Sequence, residues 1–310
     1  MSYFIQSIKT LAPHFYDIIN LLYGGISMNV IEKTVKVKDY VTKSSLPSND
    51  YVINPYIGCP HGCKYCYACF MKRFTNHSEE WGSFIDIKLC DSPLNTKKLI
   101  GKSVFLSSVT DCYNQFEEKY QITRNILKQL IDVDCQLGIS TKSKLILRDL
   151  DLLKKCKHLQ VSMSMNTLDE KFKDDMDMAS SIKERLETLK SLHESGIYTI
   201  LFMSPIFPEI TDFKAIIEES KSFIDEFWFE NLNLRGSFKT KILTYINDNY
   251  PSLKPLYHEI YIKGNKDYWK ELAKEIDEYC QLNQVKYINY FYHEELVAQK
   301  KERLSKKRID

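Results

Sequence analysis

The sequence predicts an α/β fold, a partial (βα)6 TIM-like barrel with a C-terminal helix and strand appended. Three observations carry this expectation. Short apolar segments bounded by turn residues recur at 51–54, 104–109, 137–140, 159–164, 198–203 and 226–230. Helical stretches lie between them, at 67–75, 121–131, 148–156, 180–195 and 212–224. A loop with three cysteines directly follows the first apolar segment, at the carboxyl end of a strand, where βα folds keep their chemistry.

Taken in order, residues 1–49 read as a helical leader and lead-in. Phe4, Ile8, Leu11, Phe15, Ile18 and Leu22 form an apolar helical stripe, with Pro13 starting a helix and Gly24–Gly25 ending it. His14 and Asp17 break the apolar character and no small-residue cleavage site follows, which argues against a signal peptide. The other reading is that Met28 is the true start. Residues 50–240 form the barrel. Its clearest helix is 180–195, through Ile182, Leu186, Leu189 and Leu192, with Gly196 at its end. Right-handed crossovers between such strands give a curved parallel sheet. Residues 241–310 form an extension, with a helix at 266–282 through Trp269, Leu272, Ile276 and Tyr279. A strand at 285–292 follows, so the extension reads as an edge strand and capping helix.

Composition excludes some classes. With 43 basic and 41 acidic residues, total charge gives no long-range steering toward nucleic acid and leaves open only a local basic groove. The basic stretch 300–308 reads as a solvated terminus. No apolar run reaches membrane-spanning length, so no membrane is expected. Nine cysteines, an odd number with no secretion signal, point to a reducing cytoplasm. Of these, Cys69, Cys90, Cys112, Cys135, Cys156 and Cys280 are scattered and read mostly as small buried hydrophobes.

The loop itself is Asn54-Pro-Tyr-Ile-Gly-Cys-Pro-His-Gly-Cys-Lys-Tyr-Cys-Tyr-Ala68. Cys59, Cys63 and Cys66 follow a C-x3-C-x2-C spacing. Three thiolates so placed hold three irons of a cubane and leave the fourth free for a ligand, whereas a ferredoxin fills all four. Gly58 and Gly62 let the backbone turn tightly around the irons. The competing readings are a zinc site or a closed electron-transfer cluster, with Cys69 as fourth thiolate.

This loop resembles that of the radical S-adenosylmethionine (SAM) superfamily, with Tyr65 as its aromatic before the third cysteine. More narrowly it is similar to the spore photoproduct lyase-like, or "DNA repair photolyase", branch and to its radical SAM mobile pair proteins. Ser108-Val-Thr-Asp-Cys-Tyr-Asn-Gln-Phe-Glu117, Thr141-Lys-Ser with Arg148-Asp-Leu-Asp151, and Pro205-Ile-Phe-Pro-Glu-Ile-Thr-Asp212 match further segments of that branch. The likeness covers about 50–235. It implies a 4Fe–4S cluster on the three cysteines, with SAM chelated at the open iron and cleaved reductively to a 5′-deoxyadenosyl radical that abstracts hydrogen.

The resemblance further implies SAM contacts from Tyr65, Tyr67, Ser108, Thr110, Asp111, Lys142, Ser162, Ser164, Asn166 and Arg185. Ser107, beside Ser108, belongs to the same strand end. Beside these stand plainer readings. Thr110 and Asp111 also suit a turn and helix cap; Lys142 also suits solvent; Arg185 also suits a surface pair with Glu184 or Glu187. Arg148 and Asp149 read as holding a loop to a helix. Spore photoproduct lyases return hydrogen from a cysteine near the second strand. Ser108 stands there in this chain, and a serine O–H is too strong to donate hydrogen readily; Cys112 is the substitute candidate. Fold and radical initiation therefore transfer, and thymine-dimer repair does not. Expected partners are an electron donor such as flavodoxin or ferredoxin, and a further radical SAM protein. The substrate is expected to be a nucleic-acid base or lesion, or else a protein or peptide.

Overall fold

The computed structural model describes residues 30–291 except Pro47. The expected leader helix and the basic stretch at 300–308 lie outside the described residues. Among the described residues eleven strands are formed: β1 Ile31–Lys36, β2 Val41–Lys43, β3 Tyr51–Ile53, β4 Tyr56–Ile57, β5 Phe84–Leu89, β6 Ser103–Leu106, β7 Gln136–Thr141, β8 His158–Ser164, β9 Tyr198–Ile206, β10 Glu226–Asn231 and β11 Tyr287–Asn289. Eight of them make one sheet in the order β11-β10-β9-β8-β7-β6-β3-β2, open at β2 and β11. Every neighbouring pair is parallel except β2–β3. The six expected strands are β3 and β6 to β10, the staves of a partial barrel.

Burial along these strands has a period of two. Val104, Leu106, Leu137, Ile139, Val161, Met163, Leu201, Met203, Phe227 and Phe229 are buried on one face. The alternating Ser103, Phe105, Gln136, Gly138, Gln160, Ser164, Tyr198, Phe202, Glu226 and Trp228 line a cavity on the other. The strands are thus not apolar on both faces, as expected of a flat parallel sheet, because the inner face of an open barrel wraps a site rather than a core.

The helix Ile182–Glu194 begins with a capping box from Ser181 and Glu184, and Gly196 at φ +80 ends it. Helices Ile122–Leu130 and Phe213–Ser220 also lie where periodicity put them. The stretch at 148–156 is shorter, a single turn Leu150–Leu153 after a 3₁₀ segment Lys144–Asp149. A helix Glu170–Met176, capped by Asp169, was not expected. In the extension, helix Asp267–Leu282 buries Trp269, Leu272, Ile276 and Cys280, and Cys280, not Tyr279, completes its apolar stripe. β11 then adds to the sheet beside β10, shorter than the 285–292 expected.

Two differences shape the site. The strand expected at 104–109 stops at Leu106, because Ser107 takes φ +74 and its Oγ accepts from Cys112 N–H at 2.8 Å. Residues 107–111 are therefore a loop. Between the cysteine loop and β6, the chain also makes β5, which pairs with β4 and, in parallel, with β1. Phe84, Ile85, Asp86 and Ile87 in β5 are all buried, so this small sheet forms a floor against the loop.

Arg148 and Asp149 act as a brace. Arg148 bonds Glu117 Oε1 at 2.8 Å and Asp149 Oδ2 at 2.7 Å, Arg124 reaches Asp149 Oδ1 at 2.7 Å, and Tyr56 donates to Glu117 Oε2 at 2.5 Å. Glu117 and Asp149 are fully buried. Removing one partner of a buried pair leaves an uncompensated charge and costs about 3–5 kcal/mol. Arg148→Met is accordingly expected to lower the urea midpoint by that equivalent. A loss under about 1 kcal/mol, typical of exposed pairs, would contradict the brace.

Candidate radical SAM site

The cysteine loop is built against the β5 floor. Gly58 adopts φ +86, and a Cβ there would lie 2.3 Å from the Phe84 carbonyl oxygen, so only glycine fits. A Cβ on Gly82 would likewise meet the Cα of Gly62 at 2.9 Å. Asn54 ties the end of β3 to the next loop, donating to Ser108 Oγ at 2.8 Å and accepting from Val109 N–H at 3.1 Å. Thr110 donates to the Gly58 carbonyl at 2.7 Å. From the other side, Lys64 N–H bonds Met176 O and Met178 N–H bonds His61 O, so the unexpected helix Glu170–Met176 clamps the loop.

Cys59, Cys63 and Cys66 all line one cavity of about 1170 Å³ that runs along the inner face of the sheet. All three are free thiols. Burial pushes each thiol up, Cys63 to about 12, so without a cation they stay protonated. Bound iron replaces that proton. Among the described residues no three His, Cys, Asp or Glu side chains converge on one point. A cubane needs no such convergence, since it takes each thiolate on a separate iron. The donor set therefore fits an iron–sulfur cluster.

Around the thiols lies a buried charged shell. Burial works against the Asp111 carboxylate, yet His61 and the N–H groups of Lys142 and Tyr113 hold it at about 2. Thr141 Oγ1 also donates to it at 2.8 Å. His61 Nε2 is 3.1 Å from Asp111 Oδ2 but makes no well-directed hydrogen bond. Asp111 is thus occupied from within, joining β6 to β7. Burial also opposes the charge on Lys142, but Cys63 and Asp177 outweigh it and raise its pKa. Its ammonium sits 5.8 Å from the centre of the Tyr65 ring, on the cavity wall, and no carboxylate lies within 4 Å. Tyr65 is held by Asp177, 3.2 Å from its hydroxyl, and by the edge of Phe207.

Of the residues expected to touch SAM, Tyr65, Tyr67, Ser108, Thr110, Asp111, Lys142 and Ser164 line the cavity. Tyr67 donates to the Ser108 carbonyl. The others are not among its wall residues. Ser162 shares the inner face but donates to Ile139 O at 3.3 Å, and Asn166 donates to Pro205 O at 2.9 Å. Arg185 makes neither the expected surface pair nor a cavity contact. It is 1% exposed, 2.5 Å from Asp177 Oδ1, and also bonds the carbonyls of Ser180 and Ser164. Cys112 is fully buried behind the Ser107 turn, so its thiol does not face the site. Cys69 does line the cavity.

Sequence reasoning missed His61 and the wall of Ser204, Glu230, Phe202, Trp228 and Tyr290, and also Asp177, which stands behind the wall on Tyr65 and Arg185. Counting every second residue back from the carboxyl ends of the strands finds Glu230, Trp228 and Phe202. No local signal marks Asp177, which reaches the site from the end of an unexpected helix.

An open parallel barrel with three cavity-lining thiols at its carboxyl edge defines a class of iron–sulfur proteins. The radical SAM superfamily model matches residues 53–219, more than half of the chain, and the chain belongs to that superfamily. Its cofactors are a 4Fe–4S cluster and SAM. An uncharacterised protein of Methanocaldococcus jannaschii is 41% identical over 218 residues, covering 70% of this chain and 83% of that one. One from Acidianus two-tailed virus is 32% identical over 214 residues, covering 61% and 69%. Among solved structures, a spore photoproduct lyase mutant with bound AdoMet and dinucleoside spore photoproduct superposes at a TM-score of 0.52 and 16% identity. It covers 71% of this chain and 66% of that chain. SuiB of Streptococcus suis bound to S-adenosylmethionine gives 0.51 and 17%, covering 77% and 49%. At these identities the two structures attest the fold alone.

Two substitutions check the ligand set. After anaerobic reconstitution, Cys66→Ala is expected to lose most of its iron while Cys69→Ala keeps the wild-type content. Equal loss in both would make Cys69 a fourth ligand. Gly58→Ala is expected to hold little iron even though its far-UV circular dichroism stays close to wild type.

Proposed function

We propose that this chain is a radical SAM enzyme that abstracts hydrogen from a nucleic-acid base or base lesion. The observation that carries the reading is the shape of the cavity. Its upper end holds the three thiols and Lys142, and the same space continues down the inner face past Phe105, Phe202, Trp228 and Tyr290. Phe202, Trp228 and Tyr290 meet edge to face, with ring centroids 5.5–6.3 Å apart. Such a wall suits a flat ring, and Glu230, two residues after Trp228 on the same strand, supplies a polar group for its edge. A lyase of the same fold has been solved with a dinucleoside photoproduct, so this fold can accommodate a substrate of that class.

When bound, cluster and SAM supply one-electron cleavage of a sulfonium and, from it, hydrogen abstraction. The chain does the rest. Cys59, Cys63 and Cys66 hold the cluster. Lys142 offers its ammonium to the carboxylate of SAM, while Arg185 is already spent on Asp177. The hydroxyls of Ser108, Thr110 and Ser164 and the ring of Tyr65 shape the pocket around the nucleoside. The apolar wall keeps water from the reacting centre. With Cys112 turned away, thymine-dimer repair through that thiol has no support.

A one-electron donor of the flavodoxin or ferredoxin type would reduce the cluster. All nine cysteines are free, which suits a reducing cytoplasm. Among the described residues no helix is long and apolar enough to cross a membrane.

The test is direct. Reconstituted protein is expected to bind about four irons and to release 5′-deoxyadenosine when dithionite and SAM are added. With deuterated oligonucleotides, label should appear in that product. Cleavage of SAM with no label from any oligonucleotide would redirect the search to a protein or peptide substrate, and an iron site indifferent to SAM would remove the enzyme reading altogether.

A further inference from the structure

The 3₁₀ segment Tyr67–Phe74 starts directly after Cys66 and carries three exposed aromatic rings. Tyr67 is 58% exposed, Phe70 42% and Phe74 64%, an unusual concentration of apolar surface on eight residues. Tyr67 and Phe70 are also cavity wall, so the patch is the outer continuation of the site. The Arg73 guanidinium lies 4.7 Å from the centre of the Phe74 ring and 5.4 Å from that of Phe70. Among the described residues Arg73 has no carboxylate within 4 Å, and no Asp or Glu occurs anywhere from 51 to 78. A surface of exposed rings with a cation stacked on two of them, and no acidic residue within the segment itself, is complementary to a chain of flat rings joined by anions.

We propose that Phe70, Arg73 and Phe74 form a rim that grips the single-stranded nucleic acid flanking the reacting base. The bases stack on the rings and a phosphate meets Arg73. This rests on the nucleic-acid reading of the cavity and adds to it the surface that holds the strand. Position favours this occupant over an acidic electron donor. A donor protein seated on Phe70 would cap the mouth through which substrate enters, whereas a strand running over the rim leads into it. The near-zero net charge of the chain makes this local placement the determinant of binding, since no long-range field gathers the polyanion.

The experiment uses full-length reconstituted protein and fluorescein-labelled dT12 and rU12, read by anisotropy across a salt series. Phe74→Ala and Arg73→Ala are expected to weaken binding by roughly tenfold each, within the range of one stacked base. Arg73→Ala should also flatten the salt slope by about one phosphate contact. The dT12 and rU12 arms show which sugar the rim accepts. Iron content and melting midpoint of both variants should match wild type; a large fall in midpoint for Phe74→Ala would mean that the ring packs against this chain itself, and would overturn the proposal. Tight binding of dT12 or rU12 that both variants retain would overturn the rim and leave the nucleic-acid reading standing. No binding of either oligonucleotide by an enzyme that still cleaves SAM would overturn both. A defect seen only when a reduced flavodoxin replaces dithionite would give the surface to the electron donor instead.

Discussion

The site depends on how closely residue 58 approaches the carbonyl of Phe84. A cluster-binding loop has little regular structure of its own, and three thiols on a cavity wall give it no cohesion until iron arrives. Something else must hold its shape. Here that is backbone packed on backbone, with Gly58 on β5 and Gly62 on Gly82, contacts too short for any side chain to intervene. This explains the excursion between the cysteine loop and β6. The β1-β5-β4 sheet adds nothing to the barrel, yet it supplies the surface the loop is pressed against. His77, stacked on Phe84 at 4.0 Å and bonded to Asp86 and Glu79, stiffens that surface in turn.

Electrostatics around the loop follow one logic. Two carboxylates, Asp111 and Asp177, are buried beside the thiols and each is spent on internal partners: Asp111 on backbone N–H groups, Thr141 and His61, Asp177 on Arg185, with the Tyr65 hydroxyl beside it. A buried charge left without partners is costly, so such groups serve as braces before anything else. Lys142 differs: it stands on the cavity wall near Asp177 with no carboxylate within 4 Å. Arginine in a buried fork and lysine as a free point charge divide the two tasks as their chemistry suits them.

The barrel was legible because it is written in local patterns: six apolar runs, helical periods between them, and cysteines at the carboxyl end of the first strand. The three thiols were legible because their spacing admits few uses. The rest was hidden for physical reasons. β5 reads Phe-Ile-Asp-Ile-Lys-Leu, and its charged Asp86 and Lys88 obscured a strand that buries one of them against a histidine and sends the other to the Asn54 carbonyl. Arg185 sits on a helix with glutamates on either side, and nothing local says that its fork turns inward to an aspartate eight residues back. The position of Cys112 was decided by one left-handed residue, Ser107, in a stretch that otherwise looks like strand. Long-range partners and single backbone reversals escape pattern reading.

The same short segment holds the third cysteine, walls the cavity and presents the aromatic rim, and this economy has a mechanical consequence. Cys66 is the residue before the 3₁₀ turn, Cys69 N–H returns to its carbonyl, and Tyr67 reaches across to the Ser108 carbonyl on the loop after β6. That loop in turn holds Gly58 through Thr110. The rim is therefore joined to both ends of the cluster loop through hydrogen bonds and covalent chain. The barrel contributes the frame, and the loop at its carboxyl edge is where the cysteines, the cavity wall and the exposed rings meet.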